Sequence, residues 1–268
     1  ECFDLKDRGA IAPGYRGDVV LLDDLKDFHV NRVFVEGTLV AEEGKYLPEI
    51  KKCDISSVKG SVIVKDFSKE KFKMNLKSNK VNVIKILPGG VVTAKDTAEI
   101  ELDANGEFVR NPEVDLVKVA VVERHQGTGN VACGFLKGYG IKEGAVALSV
   151  AHDSHNIIVV GVNDEEMEFA VNSLIEQEGG IVLVKEGKVI ESMPMPIAGL
   201  MSDQSGEWVD QKLTDIHEKA YEELGICGDV EPVMTLCFMS LAVIPEIKLT
   251  DMGLFDVTTF SFIPVEVE

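Results

Sequence analysis

The sequence predicts an α+β fold, a mixed or antiparallel sheet with packed helices and an extra β-hairpin fragment at the N-terminus. Three observations carry this. Short apolar runs rich in β-branched residues recur along the chain, two segments repeat apolar residues at helical spacing behind capping residues, and the strands and helices mix without strict βαβ alternation.

The N-terminal strands are read from Val19–Leu22, Val30–Glu36 and Thr38–Ala41, punctuated by Asp23-Asp24 and by a Glu36-Gly37 turn. So short a sheet buries too little to hold itself, and its strands are expected to complete a larger sheet. Polar, mixed-charge residues 48–59 read as a linker, which places one domain at 1–54 and a larger one at 55–268. Within the second, Val81–Leu87, Glu99–Leu102, Leu116–Val122, Val146–Ala151 and Ile157–Val162 read as strands. Asn163 with Glu166 three residues on resembles a capping box, and Met167, Val171, Leu174 and Ile175 follow at helical spacing, so a helix is expected over Asp164–Glu178. A hairpin is read from Ile181–Lys185 and Lys188–Glu191 around Glu186-Gly187. A second helix is read over Glu207–Leu224, with Val209, Leu213, Ile216 and Ala220 on one face and Gly225 as its stop.

Charge narrows the function classes. Forty-six acidic against 27 basic side chains, a formal charge of −19, repel phosphate backbones and anionic lipid surfaces, which argues against nucleic-acid and membrane partners. The longest apolar runs fall far short of the roughly 20 residues that cross a bilayer, and the default expectation is a cytoplasmic protein. The five cysteines form no C-x-x-C pair and read as reduced thiols rather than as a disulfide framework or a zinc site. The first residue is Glu1 rather than Met, and Glu1–Asp7 reads as the end of a helix, so a preceding segment is expected.

Three stretches could carry chemistry. Ala151-His-Asp-Ser-His-Asn156, between two apolar strands, offers two imidazoles and a carboxylate for proton transfer or ligation, or else forms a structural Asx-type turn. Glu123-Arg-His-Gln-Gly-Thr-Gly-Asn130 contains two glycines that allow close backbone approach to a ligand, but it matches no phosphate-loop spacing. Its structural alternative is a tight turn with Arg124 paired to Glu123 or another carboxylate. Met193–Asp203, stiffened by prolines, either lines a pocket through its methionines or packs as core. His29 and His217, in strand and helix contexts with no polar companions, read as surface histidines. Trp208 and Gly89-Gly90 read as structural.

Gly9-Ala-Ile-Ala-Pro-Gly-Tyr-Arg-Gly-Asp-Val-Val-Leu-Leu-Asp23 resembles the strand pair that follows the metal-binding barrel in amidohydrolases, with Gly17 where that family has alanine. Val121–Asn130, Ser149–Gly161 and Pro196–Asp203 are similar to the C-terminal domain of bacterial adenine deaminases. The resemblance implies that residues 1–54 are strands of an amidohydrolase accessory sheet. It also implies hydrolytic deamination of adenine, a cyclic amidine, to hypoxanthine and ammonia by a hydroxide activated on manganese or iron in a two-metal site. Those ligands belong to the barrel. None corresponds to His29, His125, His152, His155 or His217, so no catalytic residue and no metal ligand is expected in this chain, and the isolated chain is expected to be inactive. The residues expected to face the barrel mouth, as a substrate-binding surface or lid, are Arg124, His125, Thr128, Gly129, His152, Asp153, Ser154, His155 and Asn156.

Two rivals stay open. One is a non-catalytic structural or oligomerisation module, with homo-oligomers possible. It is favoured if the polar clusters lie on opposite faces, whereas convergence favours the enzyme role. The other is a stand-alone metal site on His125, His152 and His155, which needs the three side chains within coordination distance.

Overall fold

The computed structural model describes residues 3–267, and the chain divides into two compact units, Glu1–Asp54 and Ile55–Glu268. Of the expected helix end at Glu1–Asp7, residues 3–7 are turn and coil, while Glu1 and Cys2 lie outside the described residues.

The first unit is a four-stranded antiparallel sheet in the order β1 (Val19–Leu22), β2 (Val30–Val35), β3 (Thr38–Glu42), β4 (Lys45–Tyr46). Asp18 organises its entry: one carboxylate oxygen accepts the Glu36 amide at 2.8 Å, and the other lies 3.5 Å from both Arg8 and Arg16. A Cβ at position 17 would come within 2.9 Å of the Gly37 nitrogen, so the glycine that departs from the amidohydrolase pattern permits this close approach. Val20, Leu21, Leu25 and Phe28 are exposed, a large apolar surface for a sheet of four short strands.

The second unit is built on an eight-stranded sheet from β5 (Lys80–Ile86), β6 (Thr93–Glu99), β9 (Leu116–Val122), β10 (Val131–Lys137), β11 (Ala145–Leu148), β12 (Ile157–Gly161), β13 (Gly180–Lys185) and β14 (Lys188–Pro194). Its order is β14-β13-β11-β12-β9-β10-β5-β6. Every neighbouring pair is antiparallel except β10 with β5, which makes the sheet mixed. The short strands β7 (Glu101–Leu102) and β8 (Phe108–Val109) form a separate ladder.

Both faces of the sheet are covered, which explains why β9, β11 and β12 are buried at every position. On one face Ala120, Val122, Ala147, Ile157 and Val159 pack under Met167, Ala170, Val171 and Leu174 of helix α1 (Asp164–Glu176). Val117, Val119, Val121, Ile158 and Val160 face the other way, under helices α2 (Gly206–Glu222) and α3 (Pro232–Cys237) and a three-stranded sheet of β15 (Ile247–Thr250), β16 (Gly253–Asp256) and β17 (Ser261–Phe262). Helix α1 starts as its sequence dictates, with the Asn163 side chain accepting the Glu166 amide at 2.8 Å. Its first residue, Asp164, accepts from the buried Lys118 ammonium at 2.8 Å.

Several sequence expectations need correction. β11 ends at Leu148, because Ser149 turns away to hold Gly180 and Gly199 through its hydroxyl at 2.7 and 2.5 Å. The run at Glu99–Leu102 spans two strands, and nearly all of β6 escapes an apolar-run criterion because its exposed edge is polar and charged. β10 also escapes it, because Gly134 interrupts the run where Leu249 packs closely. The C-terminal elements α3 and β15 to β17 have no counterpart in the sequence reading.

Candidate functional site

Strand register brings the three polar or proline-rich stretches to one end of the large sheet. Val122, the last residue of β9, pairs with Val131 at the start of β10 and with Ile157 at the start of β12. The segments 123–130 and 149–156 therefore leave the sheet side by side. Leu148 pairs with Ile181 of β13, and Gly180 pairs with Pro194, so the chain that follows Pro194 leaves at the same end.

Arg124 ties these segments together from inside. It is 1% exposed. Its Nε donates to the His155 carbonyl at 2.5 Å, its Nη2 donates to the Ala198 carbonyl at 3.2 Å, and its Nη1 lies 3.5 Å from the Ser61 carbonyl. Its own backbone carbonyl accepts the Ile63 amide at 2.8 Å. The carboxylate pairing of the structural alternative is absent among the described residues. Burial lowers the guanidinium pKa, and the neighbouring Glu123 charge opposes that shift. A planar fork with several fixed donors suits this work, since one side chain satisfies carbonyls from separate segments. Gly199 makes room for it: its φ is +71°, and a Cβ there would stand 2.7 Å from Nη1.

Glu123 shapes the adjoining turn instead of pairing with Arg124. Its carboxylate accepts the amides of His125 (2.5 Å), Gln126 (2.7 Å) and Thr128 (2.9 Å) and the Thr128 hydroxyl (3.1 Å). Burial pushes the Glu123 pKa up, but these hydrogen bonds to the ionised form outweigh it and hold the carboxyl below its ordinary value. Lys71 donates to the Gly129 carbonyl at 2.6 Å, and Asp251, at the β15–β16 turn, accepts from Asn130 (3.2 Å) and Asn156 (3.3 Å). Sequence reasoning missed Lys71 and Asp251, because each is one charge among many and nothing local marks it as a partner of these loops.

The outer surface of the cluster carries imidazoles. His125, His152, Asp153 and Ser154 are exposed, and His155 is half-buried. His125 Nε2 lies 2.9 Å from the Ser154 carbonyl, which can only accept, so Nε2 carries the proton and Nδ1 of a neutral ring is left as an acceptor. His152 stacks on Phe238 with ring centroids 5.2 Å apart, lies 6.1 Å from the His155 ring, and has its Nδ1 3.8 Å from Asp153. The Nδ1 of His155 is buried without a hydrogen-bond partner among the described residues. Of the nine candidate residues, Arg124 and Asn156 are buried and hold the loops together, Thr128 and Gly129 shape the turn, and the histidines, Asp153 and Ser154 form a surface that can exchange hydrogen bonds with a polar ligand.

Elsewhere the expectations change. Met193 is core near the end of β14 and Met195 packs against that core, whereas Met201 is exposed; what the proline-rich stretch brings to Arg124 is backbone, the Ala198 carbonyl. His29 and His217 do have polar companions, Asp23 and Glu231, each at 2.6 Å. Among the described residues no group of three or more His, Cys, Asp or Glu could hold a metal ion, which sets aside a stand-alone centre on His125, His152 and His155.

Fold and cluster together define an α+β domain that presents stapled polar loops at one end of a mixed sheet. A family model, the adenine deaminase C-terminal domain, matches residues 90–261, more than half of the chain, and the chain belongs to that family. Among curated relatives, an "Adenine deaminase 2" of Desulfotalea psychrophila is 66% identical over 99% of this chain, and an "Adenine deaminase" of Ligilactobacillus salivarius is 47% identical over 98%. Another "Adenine deaminase 2", from Carboxydothermus hydrogenoformans, is 46% identical over 98% of the chain. The chain spans 46% of the length of each of these relatives.

Proposed function

We propose that this chain is the C-terminal part of an adenine deaminase, a hydrolase that converts adenine and water to hypoxanthine and ammonia, and that its loop cluster covers the active site of a metal-bearing barrel. In this reading residues 1–54 are strands of the barrel's accessory sheet, residues 55–268 are the covering domain, and the 268-residue chain alone is inactive. The observation that carries the covering role is the convergence of 123–130, 151–156 and 196–199 on the Arg124 guanidinium, which leaves His125, His152, Asp153, Ser154 and His155 grouped at one end of the sheet. Polar loops held on rigid strands suit contact with a small polar substrate.

The chemistry of manganese or iron in such enzymes would be activation of the attacking water. The described residues of this chain do not supply a set of ligands for it, so no metal step is assigned to them. Their work is to exclude water and to exchange hydrogen bonds with the purine edge. We place the protein in the cytoplasm, in adenine breakdown; its described cysteines, Cys53, Cys133, Cys227 and Cys237, are free thiols.

The test is kinetic. In the full-length enzyme His152→Ala and Asp153→Ala are expected to raise KM for adenine or lower kcat, while unchanged kinetics in both variants would refute the covering role and favour a purely structural module. Turnover of adenine by the purified 268-residue chain would refute its inactivity.

A further inference from the structure

A cavity lies away from the loop cluster, between the chain following β5, helix α2 and the start of α3. Its volume is about 470 Å³, within the range of small-molecule sites. The body of the cavity is apolar, formed by Ile86, Leu87, Leu213, Val230, Val233 and Met234. Its charged lining is of one sign: Asp229 and Glu231 contribute carboxylates, His217 an imidazole, and neither lysine nor arginine lines it.

The walls are pre-built. Glu231 is the N-cap of α3, accepting the Met234 amide with one oxygen, and its other oxygen lies 2.6 Å from His217 Nε2. Elsewhere in the lining the Val91 carbonyl accepts from the buried Lys248 ammonium at 2.9 Å, and the buried Tyr139 hydroxyl donates to the carbonyl of Pro232, the first residue of α3, at 2.8 Å. Leu87 and Met234 are 39% and 54% exposed, apolar surface that an occupant would cover.

We propose that this cavity binds a small amine with a compact apolar body, the ammonium against Glu231 and Asp229 and the body against Leu213, Val233 and Met234. The charge of the lining selects the class. A carboxylate or phosphate ligand would meet two carboxylates and no lysine or arginine in the lining, whereas an ammonium finds the carboxylates of Glu231, held by its cap on α3, and Asp229 beside an apolar body. The site is distinct from the loop cluster and does not depend on the deaminase reading.

Calorimetric titration of the 268-residue chain at about 150 mM salt, where long-range attraction to the acidic surface is screened, tests this. The probes are 2-phenylethylamine, 2-phenylethanol and 3-phenylpropionate. The amine is expected to saturate a single site with Kd on the order of 1 mM, and the propionate to bind at least about tenfold more weakly. Glu231→Gln retains an oxygen to cap α3 and should weaken amine binding about fivefold while leaving the alcohol unchanged. Leu213→Trp, or Val233→Phe should the first variant fail to fold, fills the chamber and should abolish binding of the amine and the alcohol. Equal binding of amine and propionate, no saturable amine binding up to about 10 mM, or amine binding untouched by both Glu231→Gln and the filling variant overturns the proposal.

Discussion

Arg124 donates through Nε to the backbone carbonyl of His155 at 2.5 Å, so a buried cation in one loop sets the path of the histidine loop beside it. The contact explains why an arginine with no carboxylate partner among the described residues is tolerated in the interior. Its charge is spread over carbonyl dipoles from the histidine loop, the proline-rich stretch and the chain near Ser61.

Replacing this arginine separates charge from geometry. Arg124→Lys keeps the charge but not the fork, and Arg124→Met keeps apolar volume but leaves buried carbonyls without donors. Each variant is expected to lower stability by about 2–4 kcal/mol, read as a shift in denaturant midpoint, with faster amide exchange at residues 151–156 and 196–200. A midpoint unchanged in both variants would show that the loops hold without the guanidinium.

Gly199 is the complementary half of that joint. Gly199→Ala adds a Cβ where the guanidinium lies 2.7 Å away and demands a left-handed conformation of a non-glycine residue. A loss of about 2 kcal/mol is expected. Combined with Arg124→Met, the penalty should shrink because the clash is relieved, and a double-mutant cycle measures that coupling.

Lys248 is fully buried on β15, donates to the Val91 carbonyl, and has its pKa pulled down by burial to about 8 from an ordinary 10.5. Between those two values the unfolded chain binds the proton that the folded chain has released. Stability contributed at this residue therefore rises with pH from about 8 to 10.5 and is lowest below 8, where the charge must be buried. Lys248→Met should stabilise the protein at neutral pH by about 1–3 kcal/mol and flatten the rise. Thermal melts from pH 7 to 10.5 on both proteins decide it, and a destabilised methionine variant would refute the assignment.

Asp256 behaves oppositely. The Thr258 hydroxyl, then the Lys95 ammonium at 2.9 Å and the Thr259 amide, hold its carboxyl at about 2. Its contribution is complete above the ordinary 3.8 and is lost as pH falls toward 2. Asp256→Asn is expected to cost about 1–2 kcal/mol at pH 7 and little at pH 2, measured by urea midpoints at the two values.

What depends on neighbours along the chain is legible in the residues alone. The α+β class, the central buried strands and the Asn163 cap follow from residues a few positions apart, because strand alternation, helical spacing and capping are local rules. The motifs that mark the family are likewise contiguous. Elements whose sequence is polar or interrupted, such as β6 and β10, were illegible because they take their form from the partners they pair with or pack against. The loops at 123–130 and 151–156 could be named from sequence, but not their meeting. That Arg124 serves backbone carbonyls 31, 63 and 74 residues away rather than a nearby carboxylate, that Asp251 bridges two asparagines, and that Lys248 is buried emerge from the folded chain alone. Those contacts follow from strand order and register in the eight-stranded sheet, and local sequence does not encode which strand ends become neighbours.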